Sequence, residues 1–170
     1  MKRAYTGNKD GAAAGEHPQL TALMKELFKA YNPALWSNGS FGVRNMRGKE
    51  SLSVHATGRA CDISWRNIGD GKRGVAKGGR KYAMEAMEYL IKNADALGVE
   101  MIIDYLPAPH GRAAKCDRNM AWLKYDKDTV HGGGSPSSDW FHVEVDGKKS
   151  SEQVKAVFVA HPPAAVIIEA

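Results

Sequence analysis

Ser53-Val54-His55-Ala56-Thr57-Gly58-Arg59-Ala60-Cys61-Asp62 lies near the middle of this 170-residue chain, and the way it bends decides how the rest folds around it. His55 and Asp62 are seven positions apart. One continuous strand would hold them roughly 20 Å or more apart on opposite faces, and a straight helix would separate them by about 10 Å. Neither geometry lets them share a metal ion, since zinc holds its N and O ligands at about 2.0–2.2 Å. For both to reach one ion the chain must fold back, and Thr57-Gly58-Arg59 supplies the bend because glycine accepts backbone angles that other residues resist.

With that bend in place, alternation along extended arms sorts the side chains. Leu52 to Ala56 and Ala60 to Trp65 read as strands, with Val54, Cys61 and Ile63 facing a core and Ser53, His55, Asp62 and Ser64 facing a site. This places Cys61 away from the metal. Downstream, Asp139-Trp140-Phe141-His142-Val143-Glu144-Val145 alternates in the same way: Phe141, Val143 and Val145 form an apolar face, opposite Trp140, His142 and Glu144. Two histidines and one carboxylate form the kind of set that leaves a fourth zinc position open for water or substrate. His131 is the rival ligand, and His17, His110 and His161 read as surface residues.

Working outward, Leu20, Leu23, Met24, Leu27, Phe28 and Tyr31 fall at helical spacing after Pro18, and Asn32-Pro33 ends the run. A second helix is expected from about Arg80 to Leu97, closed by Gly98 and followed by a buried strand from Val99 to Tyr105. Phe41 to Asn45 and Trp140 to Val145 read as further strands. Strands and helices without strict alternation predict an α+β domain with a mostly antiparallel sheet and flanking helices. Residues 1–16 have no hydrophobic period and read as a loose arm, leaving 17–170 as one domain. Asn67 to Gly79 and Ala108 to Ser138 are long loops, and Val154 to Ala170 is an apolar segment broken by Pro162-Pro163.

Composition narrows the functional classes. A net charge of +5 favours a polyanionic partner, but the Lys and Arg residues are spread out and form no basic arm, so nucleic acid is not the expected partner. Trp36, Trp65, Trp122 and Trp140 are the stacking surfaces such a partner would need. Cys61 and Cys116 are too few for a disulfide framework or a four-thiolate zinc site; they form either one disulfide or, in a reducing cytoplasm, two free and mostly buried thiols. No apolar run reaches the roughly 18 residues of a membrane span, and the first residues do not read as a signal peptide.

Ser53-x-His55-x-x-Gly58-x-Ala60-x-Asp62 followed by Asp139-x-x-His142 resembles the paired motifs of the VanY and D-alanyl-D-alanine carboxypeptidase family of zinc peptidases, over roughly Phe41 to Val145. The resemblance implies a hedgehog/DD-peptidase-like fold with one Zn2+ in a central cleft, held by His55, Asp62 and His142. It also implies an acid/base at Asp139 and a substrate-side arginine, for which Arg44 is the nearest match and Arg47 and Arg59 are alternatives. Glu144 is either a residue that orients a ligand or a solvated strand residue. The implied partner is bacterial peptidoglycan, cut in its stem peptides by a protein expected to be monomeric. Aspartate rather than glutamate at position 139, together with a start that does not read as a signal peptide, points within that family to phage endolysins, which are made in the cytoplasm, reach the wall at lysis and cleave the L-alanyl-D-glutamate bond. Alternatives are a D-alanyl-D-alanine carboxypeptidase or dipeptidase, and a non-catalytic module binding cell wall or nucleic acid.

Overall fold

A computed structural model describes residues 2–46, 49–65, 79–106, 111–124 and 139–164. Arg47, His110, His131 and most of both long loops lie outside those residues. Helix α1, Pro18–Tyr31, begins where expected: Pro18 occupies the first turn, where its missing N–H costs nothing, and the His17 side chain accepts the Gln19 N–H at 3.2 Å. Its Leu20, Leu23, Leu27 and Tyr31 are buried, each leucine stabilising the fold by about 1.5–3 kcal/mol.

The expected helix over residues 80–97 is two helices, α2 (Gly79–Lys92) and α3 (Ala94–Leu97). Asn93 makes the break: its side-chain amide donates to Tyr89 O at 2.9 Å, the local competition that makes asparagine a poor interior helix residue. Gly98 then closes α3 at φ +70, where a Cβ would lie 2.4 Å from both Asp146 Oδ1 and Gln19 Nε2.

Strands β1 (Trp36–Gly39), β2 (Ala60–Ser64), β3 (Val99–Asp104), β4 (Arg112–Lys115), β5 (Trp122–Lys124) and β6 (Trp140–Val145) form one antiparallel sheet in the order β1-β2-β6-β3-β4-β5. With α4 (Ser151–Ala160) the described residues make an α+β fold, and none of their helices is long and apolar enough to cross a membrane. Cys61, Ile63, Ile102, Phe141 and Val143 share one core with Leu20, Leu27, Met87, Leu90 and Leu97 of the helices. Cys61 and Cys116 are free and buried. Trp65 is fully buried in the same core and cannot act as a stacking surface.

Several local expectations are corrected. Phe41 to Asn45 is not a strand, and only Asn45 makes a bridge, to Leu52. The reason is exposure: Phe41 and Val43 are 38% and 63% exposed, so the segment has no face to bury, and pairing moves to Trp36–Gly39. Leu52 to Ala56 is not extended either. Val54–Thr57 forms a 3-10 turn, because Ser53 Oγ accepts the His55 N–H at 3.3 Å and Thr57 Oγ1 donates to Val54 O at 2.8 Å. Strands β4 and β5 occupy part of the stretch read as a long loop, and α4 starts at a capping box between Ser150 and Gln153.

Residues 2–16 lie against the body instead of trailing from it. The Arg3 N–H donates to Cys116 O at 2.9 Å, and the Arg3 guanidinium donates to Asp95 at 2.7 Å, to Asp146 at 3.2 Å and to Val99 O. Thr6 donates through N and Oγ1 to the buried Glu100, at 2.9 and 2.7 Å. The Ala13 and His17 N–H groups donate to Ala56 O and Gly58 O, both at 2.8 Å. These are polar anchors, which is why the segment shows no hydrophobic period.

Candidate metal centre

Asp62 and His142 face one another across the β2–β6 ladder, so their side chains leave the sheet on the same side. Their flanking residues Cys61, Ile63, Phe141 and Val143 fill the core on the other side. His55 arrives from the 3-10 turn, and Gly58 at φ +71 returns the chain to β2. Space at that turn is tight: a Cβ on Gly58 would lie 2.2 Å from Gly15 O and 3.0 Å from His17 N.

His55, Asp62 and His142 thereby converge, with one potential ligand atom from each, all within 4.8 Å of one another. His142 Nδ1 is 2.9 Å from Asp62 Oδ1, His55 Nε2 is 3.6 Å from the same oxygen, and the two imidazole rings are 4.9 Å apart between centroids. Two ligands of a tetrahedral zinc stand about 3.3 Å apart for bonds of 2.0–2.1 Å, and the two spacings bracket that value.

The outward nitrogens are also held. His55 Nδ1 is hydrogen-bonded to Ser40 O, which can only accept, so Nδ1 carries the proton and Nε2 is free to bind a metal. His142 Nε2 lies 3.0 Å from Glu144 Oε1, and Glu144 Oε2 accepts the Tyr5 hydroxyl at 2.6 Å. Glu144 is buried and paired with His142, not a solvated strand position.

This arrangement sets the charges. Burial alone would raise the Asp62 carboxyl, but hydrogen bonds from His142 and His55 and their charge hold it well below the usual carboxylate range. Burial would likewise lower His142, yet the hydrogen bonds to Asp62 and Glu144 dominate and push it up to about 10. Without a metal, His142 is therefore a doubly protonated imidazolium between two carboxylates. Burial and the Glu144 charge push the Tyr5 hydroxyl far up, so it stays a donor.

Asp139 immediately precedes β6. Its backbone carbonyl accepts from Trp65 N at 3.1 Å and Ser64 Oγ at 3.0 Å, while both carboxylate oxygens are buried with no hydrogen-bond partner among the described residues. A buried carboxylate without a partner is costly, and its persistence calls for a functional explanation. Arg44 is exposed, and its carbonyl accepts the Ser53 N–H at 3.0 Å. Arg59 is buried and engaged by Val145 O, Gly7 O, Asp10 and Glu100. Two contributors had no readable signal: Ser40, which acts through its backbone, and Tyr5, which sits in the supposed arm.

Residues 12–105, more than half of the chain, match the family model described as VldE, C-terminal domain. The chain belongs to that family. The VldE match takes in His55, Gly58 and Asp62 and ends before Asp139 and His142. No curated protein and no solved structure matches the chain.

Proposed function

We propose that this chain is a zinc metallopeptidase that acts at the bacterial cell wall and hydrolyses peptidoglycan stem peptides at the L-alanyl-D-glutamate bond. The observation that carries the reading is the convergence of His55, Asp62 and His142, with a buried carboxylate at Asp139, three positions before His142, that has no hydrogen-bond partner among the described residues. A His/His/Asp set of mixed N and O donors suits zinc, and its count leaves one position open. The paired motifs that resemble the VanY family supply the substrate class, and aspartate at position 139 supplies the bond. The net charge of +5 suits an anionic wall.

Bound zinc would lower the pKa of a water toward about 7 and polarise the scissile carbonyl. The other work falls to the chain. Glu144 and Ser40 fix the two imidazoles so that Nδ1 of His142 and Nε2 of His55 face Asp62. Asp139 accepts the proton of the attacking water and returns it to the leaving amine, a role worth about two to four orders of magnitude in rate. With no competing hydrogen bond among the described residues, its oxygens are available for that transfer.

Digestion of purified peptidoglycan by the zinc-loaded protein, read by mass spectrometry, tests the proposal. New D-glutamate or D-isoglutamine amino termini, with L-alanine left on the muramic acid, are expected. Free D-alanine or D-alanyl-D-alanine would move the activity to the carboxypeptidase class, and an undigested wall would remove the peptidase reading.

A further inference from the structure

Glu144 is 2% exposed, and its carboxylate is shared between two partners: Oε1 meets His142 Nε2 at 3.0 Å, and Oε2 meets the Tyr5 hydroxyl at 2.6 Å. A carboxylate held at one oxygen can still turn about its last torsion, whose preference is broad. One held at both oxygens cannot turn without breaking a buried, charge-assisted hydrogen bond. The Tyr5 bond therefore fixes the plane of Glu144, and through it the ring of His142, whose Nδ1 must point at Asp62 for a metal to be held.

Tyr5 is itself fastened on both sides. Before it, the Arg3 N–H donates to Cys116 O at 2.9 Å and the Arg3 guanidinium to Asp95 at 2.7 Å. After it, Thr6 makes two bonds to Glu100, and Gly7 O accepts from Arg59. The ring packs on Met101, Ile103 and Ala113, and the Lys115 ammonium lies 3.6 Å from its centroid. Ile103 pairs with His142 across the β3–β6 ladder, so the floor under Tyr5 continues directly into the metal ligands.

We propose that residues 2–7 form a strap whose Tyr5 hydroxyl is a positioning group for the metal centre, acting on His142 through Glu144. The proposal rests on the reading of His55, Asp62 and His142 as a zinc site, and extends it to a segment 137 positions before His142 in the sequence. It makes the N-terminal strap part of the working site instead of a packing accessory.

The test uses the full chain and zinc itself as probe, with affinity measured by chelator competition in wild type, Tyr5→Phe, Glu144→Gln and the double variant. Tyr5→Phe keeps the ring and its packing and removes only the hydroxyl. Residues that orient a metal-bound histidine are typically worth about 10–100-fold in affinity. Glu144→Gln should fall in that range, and Tyr5→Phe, one bond further out, toward or below its lower end, with about a 3–10-fold loss. Because Tyr5 acts through Glu144, the double variant should bind zinc no more weakly than Glu144→Gln alone. Cobalt(II) in place of zinc gives a readout that general destabilisation would not move: its visible absorption should shift in Tyr5→Phe. Val154→Ala, which removes core packing under α4 and lies outside the strap, should leave the spectrum unchanged. Unaltered zinc affinity and an unaltered cobalt spectrum in Tyr5→Phe would overturn the strap while leaving the zinc site standing, as would penalties that add in the double variant. A wild-type protein that binds no zinc would overturn both. Should Tyr5→Phe not fold, the Glu144→Gln cobalt spectrum decides, since a spectrum identical to wild type would leave Tyr5 nothing to act through.

Discussion

Replacing Gly58 by alanine tests how the turn between the first two ligands is built. Two costs combine. The residue sits at φ +71, in the left-handed region, where a Cβ costs roughly 1–2 kcal/mol. That Cβ would also lie 2.2 Å from Gly15 O, a backbone atom that cannot swing aside. Relief means moving residues 15–17 away from the turn, which strains the His17 N–H bond to Gly58 O (2.8 Å) and its neighbour from Ala13 to Ala56 O (2.8 Å). Losing one or two such bonds costs about 1 kcal/mol each, so the total is about 2–4 kcal/mol. For a chain of this size that lowers Tm by about 4–16 °C. Urea unfolding of the metal-free protein measures the loss, and the same preparation should bind zinc more weakly because the turn sets His55 against Asp62. Gly15→Ala is the control: its Cβ would meet nothing within 4 Å, and a change within about 0.5 kcal/mol is expected. A Gly58→Ala protein destabilised by under about 1 kcal/mol, with unchanged zinc affinity, would refute the reasoning.

Other outcomes can be checked with the same preparations. His142→Ala should lose zinc, measured by metal analysis of the folded protein, because one of three ligands is gone. Asp139→Asn should keep zinc and lose about two to four orders of magnitude in wall digestion, and near-normal turnover would remove Asp139 from the chemistry. His142 holds its proton up to about pH 10 without metal, so zinc binding near pH 8 should release one proton from it, read by calorimetry in buffers of different ionisation enthalpy. The same raised value means that the stabilisation is fully present below about pH 6.5 and lost as pH rises through about 10, so the metal-free protein should melt lower at pH 10 than at pH 6. An unchanged Tm over that window would show that His142 is not held between its two carboxylates.

The convergence of His55, Asp62 and His142 was legible because few residue types suit a metal and because strand alternation in 139–145 and 60–65 leaves little choice of face. Cys61 faces the core, as that alternation requires. The arm before Gly58 reads as extended in sequence because Val54 and Ala56 suit a strand as well as a turn, and the side-chain bonds of Ser53 and Thr57 to nearby backbone decide for the turn. Strands β4 and β5 are four and three residues long, too short for a period to emerge. Helix α4 did carry a sequence signal, the Ser150 and Gln153 capping box, which the apolar run after it obscured. The strap was illegible for a different reason. Arg3, Tyr5 and Thr6 are held by polar partners 91 to 143 positions away, and such contacts leave no local pattern.

X-ray absorption at the zinc edge, on protein loaded with one equivalent of zinc, reports the atoms around the ion. Two imidazoles and a carboxylate oxygen, in a shell of N and O atoms at about 2.0–2.2 Å, are the expected result. A sulfur neighbour near 2.3 Å, or a shell without histidine, would contradict a centre built from His55, Asp62 and His142.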